Sequence, residues 1–324
     1  MTIHYLDRPY IDTDRWDDCV AGSPQRLFYA FSWYLDAIAD HWGGIVAEAE
    51  GHYLAVMPVP YRTKYGFRFV AQPVFCQQLG IFSRADFSVN QHFPAFWKVL
   101  NRQFRRTALY RFNEGNETEI SWPENLHRIR RVNHVLPLDK PYETLYAQYA
   151  TDRKTNLQRA RNTDWQIHEV SGLQPLIDLH RQHNEAKATE GIGSLNLSLY
   201  DRLVKAADKL LKRDMARVWL ARKENGDIEA GGLFVIDRNR IVYLFNGASV
   251  TGRKQQARLW MIDRLIREFS GKPMAFDFES PALGAESVKA YYASFGAQER
   301  TYSEVSYNRL EWIFRLWRQS KKIF

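Results

Sequence analysis

Two stretches of this chain signal local structure in the same order, and that recurrence limits the fold more than any other property of the sequence. In the first, residues 3–6 read as a short strand and 16–20 as helical. Residues 27–42 place Phe28, Phe31, Leu35, Ile38 and Trp42 at the three-and-four spacing of an amphipathic helix. After Gly43-Gly44 the pattern changes to strands at 45–49, 53–61 and 67–71, joined by Glu50-Gly51 and Lys64-Tyr65-Gly66, with a further short strand within 77–82. A helix over about 86–106 and a strand at 109–113 complete this run. In the second, strands at 217–222 and 230–236 flank a hairpin signal at Glu224-Asn225-Gly226-Asp227. A turn at 237–239 leads to a strand at 241–246, then a helix at 255–269 and a strand at 274–278. Each run reads strand, turn, strand, turn, aromatic strand, helix, strand, as an internal duplication predicts.

At 324 residues the chain is long for one core and comfortable for two. The join falls near 136–141, where Pro137 and Pro141 bracket a short polar stretch before a new helix, which gives domains at 1–138 and 139–324. The expected class is α/β (α+β), each domain a mixed, mostly antiparallel sheet flanked by helices. The alternative is a single large mixed sheet.

The formal charge of +8 draws anionic partners without choosing among them. No RNP-type motif or basic–aromatic repeat is present, so specific nucleic-acid binding is not expected. Cys19 and Cys76 are too few for a disulfide framework and lack metal-ligand spacing. The first fifteen residues hold no apolar signal region, and no apolar run approaches the roughly 18 residues that span a bilayer. The expectation is a cytoplasmic protein with no integral membrane segment.

The most informative short segment is Phe276-Asp277-Phe278-Glu279-Ser280-Pro281. On a strand, Asp277 and Glu279 share one face and the phenylalanines take the other. Two carboxylates at a strand end can hold an ammonium group or accept its proton, or else pair with arginines and cap a helix. Downstream, Val288, Tyr291, Tyr292 and Phe295 share helical spacing, and Gly296 suits the end of that helix. This stripe reads as core with a tyrosine hydroxyl available to a cleft. In the helix at 150–162, Arg153 interrupts the apolar stripe of Leu145, Tyr149, Leu157 and Ala160. A buried charge is costly unless paired, so Arg153 belongs either to an internal ion pair or to the edge of an anion site.

Taken in order, these segments resemble the FemAB-like branch of the GNAT acyltransferases. The resemblance rests on the basic helix Arg153-Lys154-Thr155-Asn156-Leu157-Gln158-Arg159-Ala160, on Tyr243-Leu244-Phe245-Asn246-Gly247-Ala248-Ser249 before a helix, and on 276–280 followed by Tyr-Tyr-x-x-Phe-Gly-Ala. It is better from about residue 140 onward than before it. It implies two tandem GNAT-like domains in a bacterial N-acyltransferase that moves an acyl or aminoacyl group to an amine, often on a cell-envelope precursor. The implied partners are a small-molecule acyl donor, an amine acceptor and an anionic substrate group. Asp277 and Glu279 become the candidate catalytic residues, with Arg153, Tyr243, Asn246, Tyr291, Tyr292 and Gln78 as candidate substrate-binding residues. No metal or resident cofactor is assigned; acyl-CoA and aminoacyl-tRNA are the candidate donors.

Departures from the family pattern matter. A CoA-dependent GNAT cradles pyrophosphate on an Arg/Gln-x-x-Gly-x-Gly/Ala loop, whereas Gly252-Arg253-Lys254-Gln255-Gln256-Ala257 has Gln255 in place of the first glycine. Some aminoacyl-transferring relatives carry a lysine where Ala293 and Ser294 stand here. These departures support the alternative reading, a non-catalytic ligand-binding protein that retains the fold. Other features read more simply: His180, His183, Asn184 and Lys187 as a polar helix face, Gln72, Gln77 and Gln78 as solvated strand ends, and Trp312–Arg318 as packed rings rather than a membrane contact.

Overall fold

The computed structural model describes residues 1–308 other than 125, 185–196, 225 and 283. The C-terminal aromatic segment and Lys187 therefore lie outside the described residues. In chain order the elements are β1 (Thr2–Asp7), α1 (Thr13–Gly22), α2 (Ser32–Ile38), β2 (His41–Ala49), β3 (His52–Lys64), β4 (Phe67–Ala71), β5 (Phe82–Ser83), α3 (Val89–Gln103), β6 (Arg106–Arg111) and α4 (Glu114–Glu119). There follow β7 (Arg128–Pro137), α5 (Tyr142–Ala147), α6 (Thr151–Arg161), β8 (Gln166–Val170), α7 (Gln174–Asn184), α8 (Leu197–Leu211), β9 (Ala216–Arg222), β10 (Ile228–Asp237) and β11 (Arg240–Ala248). The last are α9 (Val250–Lys254), α10 (Ala257–Phe269), β12 (Ala275–Asp277), α11 (Glu286–Ala293) and β13 (Gln298–Asn308).

The chain divides into two compact units, Met1–Arg131 with the stretch from Thr301, and Val132–Arg300. This differs from a single cut at 138/139 in two respects: the change falls inside β7, and the closing strand returns to the first unit. Within the first unit the strands run β1-β2-β3-β4-β6-β13, antiparallel except for the parallel pair β4 and β6. Within the second they run β8-β9-β10-β11-β12-β7, antiparallel except for the parallel pair β11 and β12. The two orders match position for position. In each, the helix that links the parallel pair, α3 or α10, supplies the crossover that such a pair requires.

Side-chain pattern explains the layers of the second unit. Along α10, Leu259, Met261, Ile262, Leu265, Ile266 and Phe269 are buried on one stripe. They meet Leu157 and Ala160 of α6 and Phe234, Ile241, Tyr243 and Phe276 of the sheet in one core. Helix α7 packs on β10 and β11. Among the described residues no helix is long and apolar enough to cross a membrane.

One expectation fails in the first unit. The predicted long helix at 27–42 is a single 3-10 turn at Phe28–Ala30 followed by the seven-residue α2. Phe31 and Ala39 are both extended, with ψ of 139° and 149°, and they break the helix at either end of α2. Gly43 and Gly44, after which the sequence pattern changes, already belong to β2. A Cβ on Gly43 would meet the Tyr5 hydroxyl, and one on Gly44 would meet the Trp16 ring. These glycines clear room for rings.

Candidate functional site

The site is built around an irregularity in β11. Phe245 pairs with Leu233 and Tyr243 with Phe234, so Leu244 is an extra residue without a partner in the ladder. Strict alternation would put Tyr243 and Phe245 on one face; the bulge breaks it. Tyr243 faces the α10 side, its ring stacked on Phe234 at 5.1 Å and near Phe276. Phe245 faces the α7 side, 4.6 Å from the His180 ring, whose Nδ1 lies 2.9 Å from the Asn246 carbonyl oxygen. Asn246 is thereby turned to the same side as Tyr243, where its Oδ1 accepts a 2.9 Å hydrogen bond from Arg258 Nη1. Gly232 lies opposite Asn246 in the ladder, and a Cβ there would crowd the Phe234 and Tyr243 rings at 2.9–3.0 Å.

Arg258 stands on the first turn of α10 and acts on three phenols. Burial pushes the Tyr243 hydroxyl far above its ordinary range, and the Arg258 charge opposes the shift. Tyr291 is raised by burial against the pull of Arg258 and Arg153. Tyr292 is raised first by burial and then by Glu279, with Arg258 again opposing. All three phenols therefore stay protonated at neutral pH and retain a hydroxyl hydrogen. Tyr243 is 4% exposed, and its hydroxyl has no hydrogen-bond partner among the described residues. A buried donor without an acceptor is costly.

Arg153 shows how a charge can sit in an apolar stripe. Its Nε donates to Ser294 Oγ at 2.8 Å, its guanidinium lies 4.3 Å from the Tyr291 ring centroid, and Asp152 is 3.9 Å away and exposed. Ring faces and a hydroxyl, rather than a buried carboxylate, compensate this charge.

At the strand end, Asp277 is 2% exposed. Its Oδ2 accepts from Arg240 Nη1 at 2.9 Å and its Oδ1 from the Glu279 N–H at 2.8 Å. Strand β12 stops at Asp277, and Glu279 has φ of +62°, so the simple alternation expected through 279 ends here. Asp277 is committed to Arg240 and to shaping this turn, while half-buried Glu279 acts electrostatically on Tyr292.

The structure thus gathers Arg153, Tyr243, Asn246, Tyr291, Tyr292 and the strand end bearing Asp277 and Glu279 within the second unit. Gln78 is not among them. It lies in the first unit, where its Oε1 accepts from the Glu114 N–H at 3.0 Å and its amide donates to Gln77 Oε1 at 3.1 Å. The structure adds two residues to this neighbourhood, Arg258 and His134. Arg258 directly follows the loop read for a pyrophosphate cradle, so its position was in view but its partner across the bulge was not. His134 is 0% exposed on β7, 5.9 Å from the Tyr292 ring; neither ring nitrogen has a hydrogen-bond partner among the described residues, and Nε2 lies 3.9 Å from Glu299 Oε1. Burial lowers its pKa, Glu299 raises it and Lys289 lowers it.

The stretch 252–257 is not an open cradle. The N–H groups of Arg253, Gln255 and Gln256 donate to Ser249, Thr251 and Arg253 carbonyls within α9 and its ends, and Gln256 takes the left-handed position at φ +62°.

No family model and no curated protein matches this sequence. Solved structures do. The crystal structure of FemX is similar with a TM-score of 0.64 at 11% identity, over 94% of this chain and 97% of that one. The C-terminal domain (DUF2156) of a putative lysylphosphatidylglycerol synthetase from Agrobacterium fabrum is similar with a TM-score of 0.56 at 11% identity, over 91% of each chain. A tandem GNAT protein from the clavulanic acid biosynthesis pathway is similar with a TM-score of 0.53 at 8% identity, over 94% and 98%. The chain has the fold seen in FemX and in that tandem GNAT protein.

Proposed function

We propose that this chain is an N-acyltransferase of the FemAB-like type, formed by tandem GNAT-like domains and moving an acyl or aminoacyl group onto an amine acceptor. The observation that carries this reading is the buried Tyr243 hydroxyl, without an acceptor among the described residues, on the same side of β11 as Asn246 and the Arg258 guanidinium that bonds it. Donors grouped in a ring-lined, partly desolvated place suit an oxygen that gains negative charge during acyl transfer.

In this mechanism the acceptor amine attacks the acyl carbonyl carbon. A C–N bond forms first, and the bond from that carbon to the donor's leaving atom breaks as the carbonyl is restored. The carbonyl oxygen, negative at the tetrahedral stage, is met by the Tyr243 hydroxyl and Arg258. Glu279 accepts the amine proton and returns it to the leaving atom. Asp277 is a positioning residue, fixing the Glu279 turn through its hydrogen bond to that backbone N–H. Arg153, held on Tyr291, meets an anionic group of donor or acceptor, and Tyr292 forms a wall beside Glu279.

The test is a screen of acyl-CoA and aminoacyl-tRNA donors against amine acceptors, read by mass spectrometry of the amide product. Glu279→Gln should lower kcat by about 10²–10⁴-fold. Undiminished turnover in that variant removes the carboxylate from the mechanism. The second reading, a ligand-binding protein without turnover, is favoured by the N–H groups already spent within 252–257. Thermal stabilisation by a donor that no acceptor ever consumes would select it.

A further inference from the structure

The turn between β3 and β4 is paired with another of the same geometry in the same unit. Glu50-Gly51, between β2 and β3, has φ of +51° and +76°; Tyr65-Gly66 has +51° and +77°. Two consecutive positive φ values define a turn that favours Asn or Asp before Gly, and a bulky residue at its first position is strained. The first turn puts a polar side chain there. The second puts a tyrosine, and leaves it 85% exposed. A ring placed where the backbone disfavours it, and where it contributes no core, points to something outside the fold.

Its surroundings fit one partner. Strand β2 reaches β3 only as far as Tyr61, opposite His41, and β6 meets β4 only at Val70 and Ala71. Among the described residues, 62–69 therefore form a two-stranded ribbon projecting past its neighbours. The pairs Arg62 with Phe69 and Lys64 with Phe67 put two cations and two rings on one face of it. Phe67 is 57% exposed. Lys64 Nζ lies 5.3 Å from the Tyr65 ring and Arg106 5.4 Å from Phe69, while Arg62 is countered by Asp40.

We infer that this ribbon docks the protein on an anionic lipid bilayer, with Tyr65 and Phe67 entering the interface and Lys64 and Arg106 facing the headgroups. Aromatic rings settle at the membrane–water boundary, and cations beside them gain from negative lipid. Single-stranded nucleic acid also draws rings and cations, but it is bound along a groove with stacking platforms, whereas these rings crown a projecting tip.

Flotation with vesicles of phosphatidylglycerol and phosphatidylcholine, against phosphatidylcholine alone, tests it on the full chain. The wild type should float with the anionic vesicles and not with the neutral ones. Tyr65→Ala with Phe67→Ala should weaken the association at least about tenfold, and Lys64→Gln about fivefold. Tyr65→Asn supplies the residue this turn prefers, so it should raise Tm while lowering vesicle binding, a combination that a misfolded variant cannot give. Equal flotation of the double variant and the wild type overturns the inference, as does failure of the wild type to float. Binding of a single-stranded RNA that is lost in the double variant, with no vesicle binding, overturns it in favour of nucleic acid.

Discussion

The two units share a strand order, yet the segment after β4 and the matching strand β11 treat their polar groups differently. In the first, the region after β4 closes on itself. Gln72 donates to the Cys76 and Gln77 carbonyls and accepts from the Arg111 N–H. Asn116, 0% exposed, accepts from the Ile81 N–H at 2.7 Å and donates to the Ile81 carbonyl at 3.0 Å. In the second, β11 itself leaves the Tyr243 hydroxyl without a hydrogen-bond partner among the described residues, and Arg258 bonds Asn246 on the same side. The contrast is local, since buried polar atoms without a partner among the described residues also occur in the first unit, at Thr107 Oγ1 and Trp122 Nε1. Hydrogen bonding, more than the strand plan, distinguishes these two segments.

Substitutions in each unit can break or sharpen this contrast. The largest effect is expected at Arg258. In the proposed mechanism its donors meet the reacting oxygen, so Arg258→Met should reduce kcat/KM by about 10²–10³-fold with little change in Tm. A variant that unfolds instead, without a specific loss of turnover, would return Arg258 to the scaffold. Next is Asn116→Leu, which strands both polar groups of Ile81. It should cost about 2–4 kcal/mol in denaturant unfolding while the folded fraction keeps its kcat/KM. A third, smaller change is Tyr243→Phe. Removing an unmatched hydroxyl should stabilise the unit by about 1 kcal/mol and lower turnover about tenfold. Loss of stability in this variant would mean that the hydroxyl has an internal acceptor, and the contrast would fail.

The smallest effect is a pH dependence of stability from His134. Its folded pKa lies below the unfolded value, so the unfolded state takes up the proton first as pH falls. Stability should be full above the unfolded pKa of about 6.5 and decline as pH drops from there toward the folded value. His134→Gln should flatten that portion of a Tm-against-pH curve. An unchanged slope would remove His134 as its source.

Much of the fold was legible because its signals are local. Strand β4 falls at 67–71 as read, and Glu50-Gly51 and Lys64-Tyr65-Gly66 are turns. What escaped depends on contacts distant in sequence. Gly43-Gly44 looks like punctuation, yet those glycines exist because Tyr5 and Trp16 need the volume. The bulge at Leu244 leaves no local mark, so nothing before the structure explained why Tyr243 and Asn246 share a side. Arg153 was read correctly as a charge in a buried stripe, but its compensation by Tyr291 and Ser294 lies well over a hundred residues downstream. The return of β13 to pair with β6 is of the same long-range kind.

That return has a bearing on synthesis. Strand β6 is made early, yet the segment that pairs with it at Tyr110 and Arg111 emerges from the ribosome only after the whole second unit has been translated. Until then the nascent first unit holds an unoccupied berth in its sheet, open to any extended peptide nearby. A chaperone that guards such a vacancy, or rapid elongation through residues 132–300, would protect the yield of native protein.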